Sequence, residues 1–170
     1  MSPDTPGTAA TEHDTSEVTA KALRAVAEDL ESDLDAPETL KRVWAGLCVA
    51  RLLGLRLAAA GLGKLQANAE SVEYQLAHDL ATTATFQHEL ALPSTGKPAP
   101  LLPDEVDDAL AALAEFSATA RRRMLAAARL AAQWHDERVL RHDSLVVAEL
   151  AAAWQGRRGS YRVEHPDPRA

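Results

Sequence analysis

Arg51, Glu73, Asp79 and His135 are residue types that do acid–base and ligand chemistry, and helical spacing turns them inward. A guanidinium among apolar neighbours needs a carboxylate partner. Glu73 or Asp79 is in position to supply it, and a structural ion pair is the plain reading. The functional reading is a polar pocket in a helical core, where burial moves carboxylate and histidine pKa values into a catalytic range. On that reading Glu73, Asp79 and His135 are the acid–base candidates, and Arg51, Trp44, Tyr74, Arg121 and Trp134 contact the ligand. His135 falls on the stripe of Leu113, Met124 and Ala131 if one helix carries them all. On the third helix Glu73 and Gln66 flank the apolar stripe on one side and Asp79 on the other, and Gln87 lies within it.

Other chemistries find less footing. His78, Asp79, His88 and Glu89 share a segment, but the two histidines are ten positions apart and point in different directions. The Glu-x-x-His pairs of di-iron helical proteins are absent, as are a Cys-rich zinc pattern and a Ca²⁺ loop. No metal and no cofactor is expected. No phosphate-binding glycine loop or nucleophile elbow occurs, and STGKP follows no strand. Cys48, the lone cysteine, reads as a buried inert thiol. Arg121, Arg122 and Arg123 fan outward from one helix and suit solvent, a phosphate-bearing ligand or an acidic partner.

Glu70-x-x-Glu73 followed by Glu105-x-x-Asp108 resembles the acidic pattern of MazG-like all-α nucleotide pyrophosphohydrolases. The resemblance implies Mg²⁺ held by these four carboxylates and hydrolysis of a nucleotide. It covers four residues, lacks the family's leading paired glutamates, and has a proline-rich loop between its two halves.

The elements that must position these groups are helices. Alanine is about a fifth of the chain and aromatics only 4%, a helix-favouring composition without strand alternation. Residues 43–60 are apolar on nearly every side apart from Arg51 and Arg56, which predicts a fully apolar central helix wrapped by others. Along it Gly46, Ala50, Gly54 and Ala58 form a small-residue seam that invites another helix close.

The pattern predicts an all-α antiparallel bundle of four long helices plus a short C-terminal helix. Residues 1–13 are expected to form a disordered arm, 14–156 a single helical domain and 157–170 a flexible tail. Asp14 with Glu17 opens a first helix over about 15–34, and Asp35 with Glu38 a second reaching about Ala60. A third runs from Lys64 to Leu92, a fourth over 103–140, and a short fifth from Asp143 and Ser144 to Gly156. The fourth, roughly 55 Å long, exceeds what this domain needs and predicts pairing with a second copy. Residues 93–103, with four prolines, form a loop that a pocket could use as a lid.

The net charge of −7 disfavours sequence-independent nucleic-acid binding. Residues 1–38 are acidic and residues 121–170 basic, which suits an acidic partner or solvated faces. The start of the chain has neither a basic run nor an apolar stretch, so a cytoplasmic protein without a membrane span is expected. Two functions compete. One is a dimeric binding or interaction protein engaging an apolar small ligand or an acidic or apolar partner protein. The other is a small metal-free enzyme of specialised metabolism, with an acid–base pocket in the core.

Overall fold

The first helix begins where a side chain closes its open end. In the computed structural model, which describes residues 18–157, the Thr19 hydroxyl accepts the Ala22 N–H and α1 runs Ala20–Leu30. The Asp14–Glu17 cap, the arm and all of the predicted tail beyond Arg157 lie outside the described residues. The carboxylate of Asp35 accepts the Glu38 N–H at 2.9 Å and opens α2, Ala36–Leu57, with Pro37 tolerated in its first turn.

A wide turn, Ala58–Leu62, joins α2 to α3, Gly63–Ala81. Gly61 there has φ 106°, a backbone state that glycine adopts without a Cβ penalty. In a straight rod Arg51 and Glu73 would lie some 33 Å apart. Their contact therefore requires α2 and α3 to fold back on each other.

Helix α3 ends eleven residues before the predicted stop at Leu92. The hydroxyls of Thr82 and Thr83 bond back to the carbonyls of Asp79 and Leu80, at 2.6 and 2.7 Å, competing with helix continuation. The chain then passes beside the start of α2 and returns to its far end. There Arg56 donates to the Ala99 carbonyl at 2.9 Å and its own carbonyl accepts the Leu101 N–H. Arg56 also donates to the Val18 carbonyl, so a buried guanidinium straps the proline-rich loop to the core. A tethered strap replaces the freely closing lid.

Helix α4 is Val106–Ala128, with Asp107 and Asp108 in its first turn. It does not continue to residue 140: residues 129–133 leave the helix and α5, Trp134–Trp154, starts afresh. No glycine or proline marks this break. Its signal is Asp136 and Glu137, acids suited to a new helix N-terminus. At 23 residues α4 spans about 35 Å, which removes the length argument for pairing. The C-terminal helix is correspondingly long, and Asp143 and Ser144 lie buried within it rather than capping it.

The described residues are all-α, without a strand. Neighbour relations close a circuit, α1–α2–α3–α5–α4 and back to α1, with α2 also meeting α4 across it. Inside lie Leu23, Leu47, Leu53, Leu76, Leu113 and Phe116, all fully buried. The small-residue seam of α2 receives aromatic rings rather than another backbone: Phe116 lies against Gly46 and Trp154 against Gly54.

Enclosure of α2 is incomplete. On its outer side Ala45 is exposed, while Cys48, Val49, Leu52 and Leu55 are half-buried. By length and composition Ala36–Ala81 is apolar enough to cross a membrane. Soluble core helices pass the same test, and here Leu40, Val43, Leu47 and Leu57 have no exposed surface.

Candidate functional site

Helix pairing sends the predicted site residues to three separate places. The first lies between α2 and α3. Arg51 approaches Glu73 and Glu70, each at 3.4 Å, and Arg51 and Glu73 are both buried. Asp79 is not its partner. Burial pushes the Glu73 carboxyl up to about 7 against the opposing pull of Arg51. Glu70 is held below its usual range, first by the Gln66 amide at 2.9 Å and further by Arg51. This is the structural ion pair.

The second place lies between α3 and α5. Gln75 donates to both oxygens of Asp79, at 2.9 and 2.8 Å, and fixes its orientation. Asp143, with 0% exposure, has two carboxyl oxygens that meet no donor. Burial pushes its carboxyl up to about 9, and a hydrogen bond with Asp79, then the Asp79 charge, raise it further. His142 Nε2 is 3.8 Å from an Asp79 oxygen. The three residues each offer one ligand atom, and those atoms lie within 4.8 Å of one another.

Sequence reasoning missed Asp143 because Asp followed by Ser reads as a cap. The available signal was register. Asp143 is three residues after buried Leu140 and four before buried Val147, on the core side of one helix.

The third place is the end of the molecule where α2 begins, α3 finishes and α4 passes to α5. Asp136 accepts the Ala84 N–H at 3.0 Å and pins the end of α3 to α5. Beside it a cleft of about 310 Å³ is lined mainly by Ala36, Pro37, Ala84, Leu130, Ala131 and Ala132, with Asp35, Lys41 and Gln133 also on its walls. Leu130 is 65% exposed and Trp134, just beyond the lining, 70%. The Arg138 guanidinium stacks over the Trp134 ring at 4.6 Å from its centre.

His135 belongs to α5, not to the α4 stripe. It is exposed, with Nε2 2.9 Å from the Thr82 hydroxyl. Tyr74 is 55% exposed, Arg121 is exposed, and Trp44 is half-buried against the core. Gln87 lies outside any helix, at φ 52°. Glu73 and Arg51 pair with each other, while Asp79 and His135 have other partners, so the four do not gather at one place.

Glu105 accepts the Leu102 N–H at 2.8 Å and Asp108 pairs with Arg24 at 2.8 Å, while Glu70 and Glu73 turn to Arg51. The two halves of the acidic pattern thus have separate partners. Burial pushes the half-buried Cys48 thiol up to about 11, which leaves it protonated and unreactive. No protein-family model, curated protein or solved structure matches the chain.

Proposed function

We propose that the chain is a binding protein for a small apolar ligand, with the end cleft at Leu130 as its recognition site. The helices are read as an antiparallel bundle, and a cytoplasmic setting belongs to the same proposal. The observation that carries it is the coincidence of a cleft with large exposed apolar side chains. A cleft of about 310 Å³ is of small-molecule size. Leu130 and Trp134 expose most of their surface at that same end, where scattered apolar exposure would need no explanation but clustering does. The acid–base enzyme has less support, because its candidate groups are dispersed among an ion pair, a helix interface and the surface.

A fluorescent apolar probe such as 1-anilinonaphthalene-8-sulfonate tests the reading. The full chain should bind it saturably, and Leu130→Asp should weaken binding at least tenfold, about 1.4 kcal/mol. Because Leu130 is largely exposed, its melting temperature should stay within the small range of surface substitutions. Equal probe binding by both proteins would refute the cleft. Light scattering on the same samples reports self-association. A mass of two chains that Leu130→Asp reduces to one would assign this face to a second copy instead.

A further inference from the structure

We propose that Asp79, His142 and Asp143, between α3 and α5, form a site for a divalent first-row transition cation of the zinc class. The carboxyl of Asp143 is wholly buried, and neither of its oxygens meets a donor. A buried polar group without a partner costs stability, so such groups are normally satisfied. Two remedies exist: a proton shared between the aspartates, or a cation between them.

A shared proton has no use for the imidazole. His142, 63% exposed at its side chain, nonetheless places Nε2 beside Asp79 on the solvent side. One imidazole nitrogen and two carboxylate oxygens suit zinc, manganese or iron(II) better than the all-oxygen sites of Ca²⁺ or Mg²⁺.

Distances fit with modest closure. Ligand atoms around a tetrahedral zinc lie roughly 3.4 Å apart, given bonds near 2.0–2.2 Å. The observed spacing, within 4.8 Å, must tighten toward that value when a cation binds. Gln75, donating to both Asp79 oxygens, orients the ligand from outside the site. Three protein ligands leave a fourth position open toward solvent, beside exposed His142, for water or an anion.

This inference does not rest on the end cleft, which Asp79, His142 and Asp143 do not line.

The full chain, stripped with a chelator, is titrated with Zn²⁺ by calorimetry and with Co²⁺ by visible absorbance. Saturation at one cation per chain in the micromolar range is expected, with a Co²⁺ d–d band. His142→Ala should weaken binding by at least about tenfold and abolish that band. It is a surface change that leaves the fold intact. Asp143→Asn should also lose the cation, while His135→Ala, removing an exposed imidazole elsewhere on α5, should bind as the parent does. Absence of stoichiometric binding, or equal affinity in His142→Ala, would overturn the site and leave a proton shared by the two aspartates. Leu130→Asp should bind Zn²⁺ normally, so the two sites succeed or fail separately.

Discussion

Glu73 shows how one carboxyl is governed by burial and a charge acting in opposite directions. It takes up a proton near pH 7 in the folded chain and near its ordinary 4.5 when unfolded. A proton held more tightly by the folded state favours folding at low pH. This contribution is complete below about pH 4.5 and is lost as the pH rises through 7. Its ceiling is about 3 kcal/mol from the size of the shift. Glu70, held below its usual range, remains a carboxylate beside Arg51 over most of that window. Urea unfolding at pH 5 and pH 8 should show greater stability at pH 5. Glu73→Gln, which cannot titrate, should reduce that difference, and an unchanged difference would remove Glu73 as its source. The Arg51–Glu73 pair was legible in sequence because a buried arginine on an apolar helix demands an acid. The choice between Glu73 and Asp79 depended on the back-folding of α2 and α3, which no spacing specifies.

Helix α2 is built around positions where side chains had to be absent. A Cβ at Gly46 would land on the Phe116 ring, and one at Gly54 would lie 2.7 Å from Cζ2 of Trp154. Both rings are buried, so neither has open solvent to move into. Gly46→Ala should therefore destabilise by about 1–3 kcal/mol through overpacking, despite alanine's better helix propensity. Thermal melts that show Gly46→Ala as stable as the parent would contradict this packing. Gly61 is needed for a different reason: nothing crowds its Cβ position, but its positive φ strains any other residue. The four-residue seam was readable from sequence, whereas its occupants were not. Phe116 and Trp154 come from α4 and α5, distant in the chain. The α4–α5 break escaped for a local reason, since an alanine-rich run carries no breaker and only Asp136 and Glu137 mark the restart.

At the scale of the whole molecule, polar groups taken inside are answered individually rather than gathered into one pocket. Arg51 has Glu73, Arg56 has the loop carbonyl of Ala99, and Asp136 has the Ala84 N–H. Asp143 is different: neither of its carboxyl oxygens meets a donor, and the Thr95 hydroxyl and Trp154 indole N–H are also without a partner. The all-α class and the helix-rich composition were legible because amphipathic spacing records which side of a helix is buried. The end cleft was not, because it arises from three connections whose paths depend on tertiary packing. Its account is tested most directly by two-dimensional NMR of the full chain titrated with the apolar probe. Shifts should concentrate at Ala36, Ala84 and residues 130–133, with the Trp134 indole N–H moving as well. Shifts centred on Glu73, Tyr74 and Asp79, with residues 130–133 unmoved, would contradict it.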